Sequence, residues 1–392
     1  MRFRDICHQE RAISIIRRGL ASGRTHHAYL FDGPEGVGKE LTASALAARL
    51  LCESANIRLD DDACGECASC RLMAAGNHPD FHLIHRGLHK QHPDRNIRNS
   101  KGLFLVVDVV RHFLIEPAST SPAMGRRRVF IIRDAERMNE GAQNALLKTL
   151  EEPPGSACLI LVSASAQRLL PTIRSRCQRV PFDLLPASFV RDQLLARSDA
   201  DPDSARALAG LSQGRLGLAL RWHQIGLLAT LGQVSEELAG RGDANPEAFG
   251  KRMLEIAQTL AARAAETAED EESPAETGAP AEGRSSGRGR AKAPARSIDT
   301  DRLRAALKLV FMLIAAICRD ALVRSATGSQ AGCLLLADVA AAETIARHDA
   351  EWIAQRIRSV ADAELMLDRN VAPQLVCERL AVALHQDLPA LR

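Results

Sequence analysis

The stretch GPEGVGKE, residues 33–40, decides the fold of this 392-residue chain. It follows an apolar segment at 28–31 and precedes a segment of helical periodicity from about residue 39 to 52. A strand, a glycine-rich turn and a helix in this order predict a phosphate-binding loop, because glycines let backbone N–H groups approach a phosphate and the helix N-terminus adds positive potential. The lysine of such a loop reaches the β- and γ-phosphates of a nucleotide. The predicted phosphate-binding residues are Gly33, Gly36, Gly38 and Lys39.

The last position of this loop departs from the pattern. Where the pattern has a Ser or Thr whose hydroxyl binds Mg²⁺, this chain has Glu40. A longer, charged side chain is expected to misplace the ion and to repel the phosphates. The loop therefore suggests ATP with Mg²⁺ as a cofactor, and Glu40 argues against its productive binding.

A second catalytic position, after the apolar segment at 129–132, is also altered. An ATPase of this kind needs an Asp near Mg²⁺ and an adjacent Glu that orients the attacking water. Asp134 fits the first role, with helix capping as its alternative, whereas Ala135 cannot fill the second. Glu136 lies one residue further along and is expected to point elsewhere. Two altered positions predict a poor or inactive ATPase.

The wider pattern predicts an α/β domain followed by helices. Apolar strands at 28–31, 129–132 and 159–163 alternate with helices, which is typical of a mainly parallel sheet covered on both faces. Beyond about residue 183 the pattern is helical. Residues 264–300 contain no aromatic residue and many Ala, Glu, Pro, Gly, Ser and Arg residues, so we expect a disordered insertion. Its role, as a tolerated loop or as a tail that binds a partner, stays open.

Charge and hydropathy exclude several classes of protein. The formal net charge is only +3, so no strong whole-molecule field attracts nucleic acid. The apolar run at 307–318 includes Lys308 and is shorter than the roughly 18 residues of a membrane span, so it predicts a buried helix. Residues 1–10 have no apolar segment after their basic residues, which argues against a secretory signal and for the cytoplasm.

Four of the ten cysteines form a cluster with the spacing C-x11-C-x2-C-x2-C. Four sulfur ligands suit a structural Zn²⁺ ion with no open coordination position, and free thiols are the alternative. The predicted ligands are Cys52, Cys64, Cys67 and Cys70. The following stretch, residues 82–101, is rich in His, Arg and Lys; we expect a solvated loop rather than a second metal site, and a contact with DNA or a neighbouring subunit stays open.

Several motifs resemble those of bacterial DNA polymerase III clamp-loader subunits. They are HAYLF at 27–31, NHPD at 77–80 after the cysteine block, NALLKTLEEPP at 144–154 and PTIRSRC at 171–177. The resemblance is specific over roughly residues 5–182 and continues less distinctly through the helical remainder. Within that family, Glu40 and Ala135 favour the δ′ type over the γ/τ type, whose members look like working ATPases.

The resemblance implies an architecture and a set of partners. It implies an AAA+ P-loop domain at 1–182 with a zinc module inserted at 52–70, an all-α lid at 183–220, and an all-α collar at 221–392 that the 264–300 insertion interrupts. It further implies a five-membered ring with γ/τ- and δ-type subunits, which loads the sliding clamp onto primer–template DNA. No polymerase-type carboxylate arrangement is evident, so polymerase activity would belong to the holoenzyme.

Three residues acquire expected roles from the resemblance. Arg176 matches the arginine finger that one subunit supplies to the ATP site of its neighbour. Ser163 lies near the phosphate-sensing position, and Arg215 resembles a lid residue that approaches phosphates; capping or surface roles are the alternatives for both. Two rival functions remain, namely an active γ/τ-type ATPase and a zinc-containing, DNA-binding AAA+ adaptor.

Overall fold

The computed structural model describes residues 2–23, 25–54, 62–100, 102–239, 245–272, 300–329, 332–335 and 340–385. The chain forms two compact units. Unit 1 comprises Met1–Val190 and Gln213–Leu218, and unit 2 comprises Arg191–Ser212 and Ala219–Arg392. The residues predicted to form a lid, 183–220, are therefore divided between the two units.

Unit 1 is built on a five-stranded sheet in which every neighbouring pair is parallel, in the order β2-β3-β4-β1-β5. The strands are β1 (Ala28–Asp32), β2 (Phe81–Ile84), β3 (Arg128–Ile132), β4 (Ala157–Ser163) and β5 (Gln178–Pro181). The three predicted strands are confirmed as β1, β3 and β4. The two edge strands are short and only partly buried, and they lack the continuous apolar run that marks a central parallel strand.

Both faces of this sheet are buried. Successive side chains of a strand point to opposite sides of the sheet, so each strand contributes to two apolar clusters. In β1, Leu30 belongs to one apolar cluster, whereas Tyr29 and Phe31 belong to the other. In β4 the same alternation separates Leu159 from Cys158. Helices cover each face, so the predicted layered α/β architecture is confirmed for unit 1.

The helices of unit 1 begin and end at recognisable signals. Asn139 caps α7 by accepting a hydrogen bond from Ala142 N–H at 2.8 Å, and Pro153 follows shortly after the last residue of that helix. Short 3-10 turns and one π turn connect several of the others. The helices are α1 (Glu10–Ala21), α2 (Lys39–Leu51), α3 (Ala68–Ala74), α4 (Arg95–Arg98), α5 (Val107–Val110), α6 (Glu116–Ala118), α7 (Glu140–Glu151) and α8 (Pro171–Arg176).

Unit 2 is helical throughout its described residues, as the sequence predicts. Its elements are α9 (Ala187–Arg197) and α11 (Leu216–Gln224), each shared with unit 1, and α10 (Pro202–Ser212), α12 (Leu231–Leu238), α13 (Pro246–Glu272), α14 (Thr300–Thr327), α15 (Ala340–Ile345), α16 (Ala350–Asp368) and α17 (Pro373–His385). Helix α14 packs against α13, α15 and α16. Val310, Phe311 and Ile314 of α14 are fully buried, which confirms the buried helix predicted at 307–318.

One boundary differs from the prediction. Residues 264–272 continue α13 as regular helix, so the predicted disordered segment cannot begin at residue 264. Ala and Glu are strong helix formers, and here they extend a helix that is already anchored upstream by buried Phe249, Met253 and Leu260. Residues 273–299 lie outside the described residues. No helix of the described part of the chain combines the length and hydropathy of a transmembrane span.

Candidate functional site

The predicted phosphate loop has the backbone form that its glycines allow. Gly36 and Gly38 adopt left-handed conformations with φ of 78° and 98°, and Gly38 leads directly into α2. Gly33 N–H donates to Ser163 O at 3.4 Å, and a Cβ atom at Gly33 would lie only 2.4 Å from Phe182 O. The first glycine is therefore needed for close packing and the later two for the turn.

Lys39 is folded back onto this loop. Its side chain is buried, and Nζ donates to Gly33 O at 2.6 Å and to Pro34 O at 2.5 Å. Burial lowers the pKa of Lys39, while nearby carboxylates, above all that of Glu136, oppose the shift. A bound phosphate would therefore have to displace the carbonyl oxygens of Gly33 and Pro34 from the Lys39 ammonium group.

Glu40, at the position of the expected hydroxyl, forms an ion pair with Arg133 at the end of β3. Arg133 therefore offsets the repulsion of phosphates that Glu40 alone was expected to cause. Mg²⁺ requires near-octahedral oxygen ligands at about 2.0–2.1 Å. Because the Glu40 carboxylate is engaged by a guanidinium and no hydroxyl stands at this position, these residues do not fit the ion that the loop pattern implies.

The second carboxylate position differs from the expectation in two ways. Asp134 has a left-handed backbone with φ of 51° and makes no capping hydrogen bond; its Oδ2 lies 3.7 Å from Arg86 Nη2. Glu136 does not point away from the site, because the 3-10 turn Ala135–Arg137 redirects the chain after β3. Its Oε2 accepts a hydrogen bond from Ala164 N–H at 3.2 Å. Ala135 itself is fully buried.

Ser163 and Asp32 lie at the ends of the neighbouring strands β4 and β1. Ser163 is fully buried, and its hydroxyl oxygen accepts from Ser165 N–H at 3.1 Å. Asp32 accepts from Ala166 N–H at 3.0 Å and from Arg179 Nε at 2.8 Å. Asp32, Arg133 and Arg179 are site residues that the sequence interpretation missed. A polar residue directly after an apolar strand was the available signal for Asp32 and Arg133.

The segment that contains Arg215 is placed next to the phosphate loop. Gly217 N–H donates to Gly36 O at 2.9 Å, and Gly214 adopts φ of 82° where a Cβ atom would lie 2.3 Å from Leu185 O. Residues 213–218 belong to unit 1 with the loop. Arg215 is thus two residues from a direct contact with the loop.

Arg176 lies at the end of α8 rather than in the phosphate-loop cluster. Its Nη2 lies 2.6 Å from Glu151 Oε1, and Nη1 donates to Thr172 O at 3.1 Å. About a third of its side chain is exposed. Arg179, three residues after Arg176, is bound by Asp32 instead, and Arg174 is exposed on α8.

The four predicted metal ligands come together, with their Sγ atoms all within 4.8 Å of one another. Tetrahedral Zn²⁺ with Zn–S bonds of about 2.3 Å requires S–S separations of about 3.8 Å. The observed separations are 3.6 Å for Cys52–Cys64, 3.9 Å for Cys52–Cys67 and 3.8 Å for Cys64–Cys70. N–H groups of Glu66 and Cys67 donate to Cys64 Sγ and lower the pKa of that thiol to about 6. The cluster is thus compatible with structural zinc.

A buried network connects this cluster to the sheet. Ser69, between two of the cysteines, donates to Leu51 O at 2.6 Å and lies 2.9 Å from His78 Nε2. Asp80 N–H donates to His78 Nδ1 at 3.1 Å, so the ring carries its proton on Nε2. The Asp80 carboxylate, fully buried, in turn accepts from Arg128 Nε at 3.2 Å. The NHPD motif therefore ties the cysteine module to β2 and β3.

The histidine-rich stretch is only in part the solvated loop that the sequence predicted, since Lys90, Arg95 and Arg98 are exposed. His89 and His92 are buried, and His82 stacks on Phe130 with 4.7 Å between ring centroids. Within the part of the chain that the structure describes, the four cysteines are the only group of three or more His, Cys, Asp or Glu side chains placed to hold a metal.

The parallel sheet, the phosphate loop and the helix that follows it define unit 1 as a P-loop α/β domain. A protein-family model described as DNA polymerase III, delta subunit, matches residues 8–186 of this chain.

Curated relatives agree with this family. Over 217 residues the chain is 40% identical to DNA polymerase III subunit delta′ of Pseudomonas aeruginosa, covering 54% of this chain and 60% of that protein. It is 33% identical over 204 residues to subunit delta′ of Bacillus subtilis, covering 52% and 56%. It is 31% identical over 282 residues to subunit tau of Escherichia coli, covering 67% and 41%. The match spans 60% or less of the length of each of these relatives.

Proposed function

We propose that this chain is a δ′-type subunit of a bacterial DNA polymerase III clamp loader, which helps to place the sliding clamp on primed DNA without an effective ATPase centre of its own. The observation that carries the proposal is the Glu40–Arg133 ion pair inside an otherwise intact phosphate loop. Glu40 stands in place of the metal-binding hydroxyl of a working ATPase and Ala135 in place of its water-orienting carboxylate, while the nearby Glu136 carboxylate accepts a hydrogen bond from Ala164 N–H. The more similar curated relatives, which are delta′ subunits, support the same assignment.

The subunit would act on ATP through its neighbour. Arg176 is the proposed arginine finger, and a guanidinium supplied in trans stabilises the charge of a transferring phosphoryl group. Its partial exposure at the end of α8 supports this role. The partners would be γ/τ- and δ-type subunits in a five-membered ring, with the clamp and primer–template DNA bound by the complex.

The proposed architecture assigns one task to each region. Residues 1–182 would form the AAA+ domain, in which Gly33, Gly36, Gly38, Lys39, Asp134 and Ser163 line a vestigial nucleotide site that Arg215 of the lid approaches. The module at 52–70 would hold one structural Zn²⁺ through its four cysteines. Residues 183–220 would act as the lid and residues 221–392 as the collar that holds the ring together; the burial of the long helix α14 supports a stable helical collar.

ATP turnover by the reconstituted clamp loader, with clamp and primed DNA, tests this function. Arg176→Ala should remove most of the stimulated turnover at the site it serves, whereas Lys39→Ala should leave turnover within about twofold of wild type. Arg174→Ala, on the same short helix, is the matched control and should behave as wild type.

Other outcomes would identify the rival functions. If Lys39→Ala abolishes turnover and Arg176→Ala does not, the chain is a γ/τ-type motor. If the chain fails to join the complex but binds DNA alone, with an affinity that falls steeply with salt concentration, it is a DNA-binding adaptor.

A further inference from the structure

Helix α8, which presents Arg176, is fastened to helix α7 at both of its ends. At its start, Leu170 N–H donates to the buried Gln143 side chain at 2.8 Å. At its end, Arg176 Nη2 lies 2.6 Å from Glu151 Oε1. Because Gln143 and Glu151 belong to the same helix, α7 sets both the position of α8 and the direction of the side chain at its end.

Helix α7 is a rigid support for these contacts. Leu146 and Leu150 are buried in the apolar cluster on one face of the sheet, and Asn139 caps the first turn. Gln143 also donates to Met138 O at 3.0 Å, which fixes the amide that holds α8. Glu151, the last residue of α7, therefore starts from a backbone position that the core determines.

The contacts of Arg176 leave part of its guanidinium available. Among the described residues its recorded partners are Glu151, Thr172 and Ser175, and all of them contact Nη1 or Nη2. A guanidinium has five N–H donors in a fixed fork, so Nε–H and the remaining N–H groups can face another acceptor. The pair is partly exposed, with side-chain exposures of 35% for Arg176 and 49% for Glu151, so a second molecule can reach it.

We propose that Glu151 is a positioning residue for Arg176, whose carboxylate holds the guanidinium in the direction from which it meets a nucleotide phosphate of a neighbouring subunit. This inference rests on the proposed function. A long Arg side chain loses rotamer freedom when it binds, and a contact that has already restricted it reduces that loss. Water screens an exposed ion pair, so the carboxylate fixes direction while leaving most of the attraction for phosphate.

The reconstituted clamp loader tests this role through four variants of the full chain. Glu151→Ala should lower kcat of the clamp- and DNA-stimulated turnover about three- to tenfold and leave KM for ATP within about twofold. Glu151→Gln keeps an oxygen acceptor and should fall between Glu151→Ala and wild type. Glu152→Ala removes the adjacent exposed carboxylate and should equal wild type. In an Arg176→Ala background, Glu151→Ala should cause no further loss, because the residue acts only through Arg176.

The thermal melting temperature of each free subunit separates positioning from folding, and Glu151→Ala should melt as wild type does. The inference is overturned if Glu151→Ala has wild-type kcat, if it raises kcat, or if its loss adds fully to that of Arg176→Ala. In those cases Arg176→Ala alone still reports on the proposed function. If Arg176→Ala has no effect either, the proposed function itself fails and this inference with it.

Discussion

Glu40 and Arg133 form an ion pair at the place where a phosphate loop carries its magnesium-binding hydroxyl. Glu40 lies in the first turn of α2, and Arg133 directly follows β3, so the parallel sheet brings the two charges together. The pair replaces a metal ligand with an internal counter-charge. We expect a nucleotide phosphate at this loop to meet Lys39 and Arg133 instead of a metal ion.

Because the Glu40–Arg133 ion pair stands in place of the magnesium-binding hydroxyl, we predict that the affinity of the chain for a nucleotide does not depend on magnesium. The affinity of wild type for a fluorescent ATP analogue should differ by less than about twofold between Mg²⁺ and EDTA, whereas Glu40→Thr should bind about tenfold more tightly with Mg²⁺, equivalent to about 1.4 kcal/mol. Glu35→Gln, which removes an acid of the same loop, is the control and should stay insensitive. Tenfold tighter binding of the magnesium complex by wild type, or a Glu40→Thr variant that ignores Mg²⁺, would contradict the prediction.

The cysteine cluster predicts stoichiometric zinc. Elemental analysis of the purified chain should find about one Zn²⁺ per molecule, and Cys67→Ser should lose it together with local stability, because metal binding contributes folding free energy. Cys7→Ser is the matched control, since Cys7 is exposed and outside the cluster. Equal zinc content in both variants would show that the metal is bound elsewhere.

We predict that His82 contributes to the loss of stability of the folded chain at acid pH. Burial lowers the pKa of His82, with Arg128 adding to the shift, so the folded chain binds this proton less readily than the unfolded chain. Stability conferred by neutral His82 is therefore present above the ordinary histidine pKa of about 6.5 and decreases as pH falls below it. When this histidine is replaced, the free energy of unfolding should decrease less between pH 7 and pH 5.5 than it does in wild type.

The test variant is His82→Phe, which can keep the stacking on Phe130. Nε2 of His82 is buried and has no hydrogen-bond partner among the described residues, so the variant should also gain about 1 kcal/mol at pH 7. Urea unfolding at both pH values measures the two effects. His112→Phe, at a partly exposed histidine paired with Glu116, is the control. An unchanged pH dependence in His82→Phe would refute the assignment.

We predict that a side chain at position 33 destabilises the fold, because Gly33 is packed closely against Phe182. A Cβ atom there would lie 2.4 Å from Phe182 O and 2.8 Å from Phe182 Cβ, so Gly33→Ala should lower the free energy of unfolding by about 1–3 kcal/mol. At Gly155 an added Cβ would meet nothing within 4 Å, and Gly155→Ala should be close to neutral. Denaturant unfolding of the two variants compares them directly, and equal unfolding free energies would contradict the role of the clash with Phe182.

The sequence predicted those parts of the site that depend on local pattern. The phosphate loop and the cysteine cluster follow from glycine and cysteine spacing, because the required geometry lies within a few residues. The direction of Glu136 did not follow, since a single 3-10 turn reverses what strand periodicity suggests. The pairing of Arg133 with Glu40 also did not follow from the sequence, because the two residues are 93 positions apart in the chain and only the sheet order brings them together. Edge strands β2 and β5 were missed because partial burial leaves no continuous apolar run.

The Ser69–His78–Asp80 network links the cysteine module to the tendency of the protein to self-associate. It fixes the start of β2, which among the described strands lies at the edge of the sheet and pairs only with β3. An unpaired strand edge is a template for pairing with other chains, so loosening of the segment beside it favours self-association. If the four cysteines bind the proposed Zn²⁺, its removal should therefore cause the protein to precipitate during storage or concentration before its central strands unfold.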